Sequence, residues 1–513
     1  MVAANFPWLT VLVALPAAGA ALLGFVPPLR RSAGRLVALA IALVELALGV
    51  YAAATAFNWS APASYQLYES RTWIPQMGVT WSLGVTSLGL VMILLALALV
   101  PIVLVAGWDE NEDRGAYPAL VLALQAFMVL IFGAYDLVVF YVAFEAMLVP
   151  LYLMIGRYGV GDEAARHKAA MKFLLYSLFG GLVMLGGIIY LWAKASATPM
   201  DVTTFFRMDQ LTQVLPNLPV SMQMVIFATF MVAFAIKAPM VPVHTWLPDT
   251  AAVARPGTSV LLVGVLDKIG TFGMITMCLQ LTPGASAAAK WVMCVLAVIS
   301  ILWGGLSANG QNDIMRLVSY TSVSHFGFMV LGIFIGSQIA LVGAMFYMVA
   351  HGVSIAAMFL LSGWLSRRGG TQDMREYVGM QKVTPVLAGL WLMSGLASIA
   401  LPGLSGFVPE YLVLMGTWTV NGPLALFAVL GVVIAAMYIL MPYQRVFTGA
   451  PGKGKEELAD LGARERCVMT PLVIAMLVLG IWSAPLVSAL TPVASDLGLP
   501  TTQVGATAEG SAQ

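Results

Sequence analysis

Apolar runs long enough to cross a bilayer follow one another along almost the whole chain, each closed by glycine, proline or charge. This restricts the fold to a bundle of membrane helices. A span needs about 20 apolar residues to cross about 30 Å of hydrocarbon, where backbone donors and acceptors must be paired within the segment, as a helix pairs them. Fourteen spans are predicted, over 8–27, 35–56, 84–106, 116–133, 136–155, 171–192, 222–246, 258–280, 290–307, 318–335, 338–364, 384–418, 421–443 and 467–490. With 60% of 513 residues hydrophobic and 10% charged, little chain remains for a soluble domain. The expected class is an all-α polytopic membrane protein.

Loops numbered by the spans they follow divide sharply in charge. Odd loops hold eighteen lysines and arginines, Arg114 and Lys453 among them, against four in even loops (Arg71, Lys194, Arg207 and Lys290). Basic residues gather in short cytoplasmic loops, so the odd loops are expected in the cytoplasm and both termini on the other side of the membrane. The first run lacks a basic leader and a small-residue cleavage site and reads as a retained helix. The small, polar segment from Pro500 to Gln513 reads as a mobile tail.

Cys278, Cys294 and Cys467 stand alone in apolar context, and His167, His244, His325 and His351 lack i, i+4 pairing. Neither pattern indicates a metal site or a disulfide framework.

The remaining basic residues are Lys172, at the start of the sixth span, and Lys237 and Lys268 inside spans. A charge at the bilayer centre costs about 3 kcal/mol or more, so ionisable residues deep in spans are functional candidates. They are Glu145, Lys237, Lys268, His325, His351 and Glu410, with Asp267, also deep in a span, and the nearby His244 and Asp249 as accessory candidates. Snorkelling to the headgroups suffices for Asp136 and Lys172. Glu45 has no evident companion and reads equally as a helix contact, and interhelical hydrogen bonds would account for either histidine alone. The series as a whole suits proton movement. Removal from water favours the neutral form of a lysine and a nearby carboxylate favours the charged one, so moving one charge decides whether Lys237 holds its proton. Histidine, ordinarily titrating at about 6.5, suits relay positions between.

Two of these residues sit beside helix breakers. Pro239 and Pro242 follow Lys237, and Pro402, Gly403, Gly406 and Pro409 precede Glu410. Interrupted spans in corresponding places point to inverted repeats with an ion path between them. Spans four to eight (116–280) and nine to thirteen (281–447) are the expected five-helix repeats, with broken seventh and twelfth helices. Residues 1–115 precede them, and 448–513 hold a loop, the fourteenth span and the tail. Five helices is an odd number, so consecutive repeats must be inverted, and Lys237 and Glu410 are expected in equivalent places.

The segments FEAMLVPLYLMIG (Phe144 to Gly156), FAIKAPMVPVHTWLPD (Phe234 to Asp249), LLVGVLDKIGTFG (Leu261 to Gly273), RLVSYTSVSHFGFMVLGIF (Arg316 to Phe334) and ASIALPGLSGFVPEYLVLMG (Ala397 to Gly416) resemble the antiporter-like proton-channel subunits of respiratory complex I. The likeness runs from about the third span to Tyr443–Gly449. Glutamate in the broken twelfth helix, and one span after the thirteenth, are typical of its M-type subunits.

The resemblance implies that Glu145 and Lys237 pair in an uptake half-channel, that Lys268, His325 and His351 line a central hydrated axis, and that Glu410 ends the second half. It also implies that NADH, FMN, iron-sulfur clusters and quinone are handled by other subunits and that this chain carries no cofactor. Expected partners are membrane-arm subunits, including L- and N-type homologues, and lipid, with no nucleic acid. The chain departs from the family in three respects. Ala251 and Val253 stand where a histidine and a carboxylate are usual, with Arg255 added; Asp267 adjoins Lys268; and Thr86 replaces a frequent aspartate. The alternatives are a multi-component sodium/proton antiporter subunit, a membrane-bound hydrogenase or formate-linked subunit, or a scaffold without conduction.

Overall fold

The structure, a computed structural model, describes residues 6–110, 116–195, 202–452 and 454–500. Arg114, Lys453 and the tail after Pro500 lie outside the described residues. Among the described residues, twelve helices are each long and apolar enough to cross a membrane. Eleven are the first to eleventh spans: Trp8–Phe25, Pro27–Thr55, Ser87–Ala106, Ala116–Gly133, Leu137–Gly156, Glu163–Lys194, Val220–Lys237, Pro256–Leu279, Pro283–Asn309, Ile314–Phe334 and Gln338–Gly369. The twelfth such helix is the thirteenth span, Gly422–Phe447. The twelfth span is made of two halves, Pro385–Ser398 and Phe407–Val420, each too short to cross alone. The fourteenth is also divided, Ala463–Ile481 meeting Ala484–Asp496 at 68° rather than forming the single run expected.

One element departs from the all-helical expectation. The second loop folds into an antiparallel hairpin, β1 (Gln66–Ile74) and β2 (Val79–Val85), turned at Gly78 with φ of 70°. The alternation in β2 runs straight into the apolar third span, which hid it in the sequence. Glu69 on β1 accepts from the Leu9 N–H at 2.7 Å, satisfying a free donor at the start of the first span.

Odd and even loops separate to opposite ends of the bundle. At the odd end, Arg464 pairs with Asp109 at 2.5 Å, Arg255 with Glu110 at 2.9 Å, Arg316 with Asp249 at 2.8 Å and Arg368 with Glu465 at 2.5 Å. At the even end, the Asp136 carboxylate accepts from the Thr80 N–H at 2.9 Å and its backbone forms an isolated antiparallel β-bridge with that of Arg207, while Gln338 bonds Ser495. Asp136 also caps the fifth span by accepting from the Val138 and Val139 N–H groups. It is buried, so snorkelling does not describe it.

The apolar stretches of the eighth and eleventh spans are buried throughout and that of the tenth almost so, whereas only a third of those of the second and thirteenth is buried. A helix apolar all round belongs in the centre of a bundle, and these three carry Lys268, His325 and His351. Glycines allow the close approach. A Cβ on Gly304 would lie 2.6 Å from the Ser324 nitrogen, and one on Gly327 2.7 Å from the Ala297 carbonyl, so the ninth and tenth spans touch backbone to backbone beside His325.

Candidate functional site

The seventh span stops at Lys237, runs without helix through 238–245 and resumes as Trp246–Val253. Pro239 and Pro242 supply the break, and nearby side chains support the backbone they release. Ser300 accepts from the Val241 N–H at 3.0 Å, Trp246 Nε1 donates to the Ile236 carbonyl at 3.0 Å, and Lys172 Nζ donates to the Thr245 carbonyl at 2.8 Å. In the twelfth span the break covers 399–406 and includes Pro402, Gly403 (φ 89°) and Gly406. Pro409 does not break the chain. It is the third residue of the resumed helix, where a missing N–H has no helical acceptor to lose.

Lys237 and Glu410 stand on opposite sides of their breaks, Lys237 last before one and Glu410 fourth after the other. The expectation of equivalent places therefore fails in register, because the sequence did not show where each helix stops and restarts.

Lys237 Nζ is buried, with no hydrogen-bond partner among the described residues, between the rings of Phe144 at 5.6 Å and Phe173 at 5.4 Å. Ammonium-to-ring attraction partly replaces its lost hydration. Glu145 Oε1 likewise has no partner, and its carboxylate fills the space left by Gly181, where a Cβ would be 1.4 Å from that oxygen. Glu145 and Lys237 thus adjoin without an ion pair. Asp267, next to Lys268 in the chain, lies on the span packed against the seventh at Ala238: it is fully buried, and neither oxygen has a hydrogen-bond partner among the described residues. Gly270 makes this possible, since a Cβ there would lie 2.5 Å from the Ala238 nitrogen.

Beyond Asp267 the polar side chains follow one another closely, hydrogen-bonded at both ends and in ring contact between, where His351 Nε2 and His325 Nδ1 have no hydrogen-bond partner among the described residues. Lys268 Nζ bonds His351 Nδ1 at 2.7 Å and the Val263 carbonyl, the latter in a π-helical turn spanning Leu262–Leu266. The His351 and His325 rings lie 5.1 Å apart, and His325 Nε2 meets the Tyr438 hydroxyl at 3.1 Å. The Tyr347 ring is 5.8 Å from that of His325, and its hydroxyl donates to Glu410 Oε2 at 2.9 Å. Lys268, His351, His325, the two tyrosines and Glu410 therefore form one buried polar line, each member able to donate or accept a proton.

The accessory residues fall elsewhere. His244 is buried in the seventh-span break with its ring 6.1 Å from that of Tyr320. Asp249 pairs with Lys172 at 2.7 Å as well as with Arg316, so Lys172 is tied into an ion triad rather than snorkelling. Arg255 is pinned by Glu110, by the Tyr158 carbonyl and by the rings of Tyr117 and Tyr158. Glu45 is fully buried, and neither carboxylate oxygen has a partner among the described residues. Sequence reasoning missed Tyr347 and Tyr438. Tyr347 was within reach, four residues before His351 on the same helical face, but nothing in sequence marks Tyr438.

The family model described as "NADH:quinone oxidoreductase/Mrp antiporter, TM" matches residues 134–435. The chain is 40% identical to NADH-quinone oxidoreductase subunit M of Mycobacterium tuberculosis over 521 residues, covering 95% of this chain and 93% of that one. In solved structures it superposes on a chain of respiratory complex I from Thermus thermophilus with bound NADH at a TM-score of 0.85, with 30% identity and coverage of 95% and 98%. A chain of the Mrp complex from Dietzia shares the fold at a TM-score of 0.83 with 21% identity, covering 95% of this chain and 97% of that one. With more than half its length matched by the family model and a relative at that identity, the chain belongs to the NADH:quinone oxidoreductase/Mrp antiporter transmembrane family.

Proposed function

We propose that this chain is the M-type membrane subunit of NADH-quinone oxidoreductase and translocates protons while NADH oxidation and quinone reduction proceed in other subunits. The observation that carries the reading is the buried line from Lys268 through His351, His325 and the tyrosines to Glu410. A scaffold has no use for it, since an unpaired polar group costs about 2 kcal/mol or more to bury. Glu145 senses charge or movement in a neighbouring subunit, and Lys237 takes up or releases a proton in response. Asp267 bridges electrostatically to Lys268, the histidines pass the proton on, and Glu410 delivers it. The unpartnered atoms of Glu145, Lys237 and Asp267 call for bridging water, which completes the steps that lack direct contact.

The two five-helix units over 116–280 and 281–447 are inverted relative to each other, the odd loops face the cytoplasm, and both termini lie on the opposite side. The neighbours are membrane-arm subunits, L- and N-type homologues among them, together with lipid. FMN, iron-sulfur clusters, NADH and quinone belong to other subunits. The decisive experiment is Glu145→Gln and Lys237→Met in the native complex, with proton-to-electron stoichiometry and quinone reductase activity measured together. Both should fall severely; full stoichiometry in either variant rejects the assignment.

A further inference from the structure

The breaks of the seventh and twelfth spans superimpose without a gap. Each is eight residues long, 238–245 and 399–406, and in each the helix resumes on an aromatic residue with proline third and a carboxylate fourth: Trp246-Leu247-Pro248-Asp249 and Phe407-Val408-Pro409-Glu410. The register mate of Glu410 is Asp249, and that of Lys237 is Ser398. Partners match as well as positions. Asp249 bonds Lys172, the tenth residue of the sixth span, and Glu410 bonds Tyr347, the tenth residue of the eleventh. The second helix of each unit agrees too. Asp136 and Asp313 cap the fifth and tenth spans in the same way, and the next backbone N–H donates to the Phe206 and Gln372 carbonyls at 2.9 and 3.0 Å.

We propose that Asp249 is a further proton-path residue, the first unit's counterpart of Glu410, and that its shared ion pairs with Lys172 and Arg316 are the charge switch joining the two units. The inference rests on the proton-carrying reading above. Lys172 belongs to the first unit. Arg316 opens the tenth span of the second, nine residues before His325 on the same helix. One carboxylate holds both, Oδ2 on Lys172 Nζ at 2.7 Å and Oδ1 on Arg316 at 2.8 Å. Protonating Asp249 releases a cation in each unit at once. It also changes the hold of Lys172 on the Thr245 carbonyl, beside His244 in the break.

Depth explains why one carboxylate uses ions and its mate a phenol. Asp249 is four residues from the end of its half-helix at Val253 and Glu410 ten from its end at Val420, or about 6 and 15 Å at the usual helical rise. The Asp249 side chain is 34% exposed, where ions stay hydrated, whereas Glu410 is buried, where a neutral donor avoids a second desolvated charge. Stability alone gives little reason for the triad, because partly exposed ion pairs contribute about 0–1 kcal/mol each.

The test measures proton-to-electron ratio, pumping rate and amount of assembled complex in native membranes carrying Asp249→Asn, Asp249→Glu or Glu410→Gln. Asp249→Asn should assemble with its pumping rate lowered about fivefold or more and its ratio reduced, and Asp249→Glu should recover both. A full ratio in Asp249→Asn alongside a reduced one in Glu410→Gln overturns this inference and leaves the proton reading standing. Full ratios in both overturn the reading itself. If Asp249→Asn does not assemble, the pH profile of pumping in Asp249→Glu decides: a displaced profile supports a titrating role, and an unchanged one overturns it.

Discussion

Tyr347 Oη donates to Glu410 Oε2 across 2.9 Å, from a ring that also faces His325 at 5.8 Å. This phenol stands between the central histidine and the terminal carboxylate, a position that charge-based reading of the sequence did not assign. Removing the donor while keeping the ring should separate a relay from packing. Tyr347→Phe leaves the buried carboxylate short of a hydrogen bond, at a cost of about 1–3 kcal/mol. The expected result is a pumping rate lowered by roughly tenfold in assembled complex, since about 1.4 kcal/mol on a barrier is a factor of ten. Proton uptake in proteoliposomes beside quinone reductase activity checks it, and wild-type pumping would remove Tyr347 from the path.

Gly181 supplies the space that holds Glu145. A methyl group there would lie 1.4 Å from Glu145 Oε1 and 2.5 Å from its carboxyl carbon, so the carboxylate must turn away. Gly181→Ala, which adds no charge and improves helix propensity, should therefore reproduce the stoichiometry loss of Glu145→Gln. The measurement is proton-to-electron ratio in both variants side by side.

Gly270 sets the distance between the eighth span and the broken seventh. Its alanine variant would place a Cβ 2.5 Å from the Ala238 nitrogen and 2.6 Å from the Phe234 carbonyl, backbone atoms that cannot move independently. Overpacking of this kind costs about 1–3 kcal/mol. Gly270→Ala should lower the thermal midpoint of the purified complex and, by moving Asp267 away from Lys237, slow pumping in whatever complex assembles. Gly389→Ala, with open space around the added atom, is the matched control and should change neither.

At the odd-loop end, burial pushes Glu110 above the ordinary carboxylate value of 4.5, against the opposing pull of Arg255. The folded form then binds a proton more tightly than the unfolded chain. Its contribution to stability is present at low pH and is lost as pH rises from the unfolded value through the raised folded one. Glu110→Gln removes that titration. Thermal midpoints of the purified complex followed upward from about pH 4.5 should decline more steeply in wild type than in Glu110→Gln. Parallel curves would show that Glu110 does not titrate in this window.

How much was legible in the sequence follows from which forces act locally. Hydrophobic length marks a span wherever it falls, so the helices and the division of basic residues between alternate loops could be read directly. Breakers act on their own neighbours, so Pro239, Pro242, Pro402, Gly403 and Gly406 were found, although Pro409 was mistaken for a breaker because its effect depends on whether it precedes or starts a helix. The hairpin of β1 and β2 was hidden because strand alternation is a short signal beside an apolar run of helical length.

The candidate site divides in the same way. Lone charges in hydrocarbon are conspicuous for their cost, and Glu145, Lys237, Asp267, Lys268, His325, His351 and Glu410 were identified from that alone. Their order and contacts were not, because those depend on which helices pack together. Lys268 reaches His351 across 83 residues and Tyr438 reaches His325 across 113, through approaches set by glycines on facing helices. Sequence by itself determined that this chain is a membrane bundle with an ionisable interior, since burying charge in lipid is expensive wherever it occurs. Only the tertiary structure decided that the interior is a line ending in Tyr347 and Glu410 and that Asp249 is Glu410's register mate, because proton transfer and ion pairing act over a few ångströms between residues far apart in the chain.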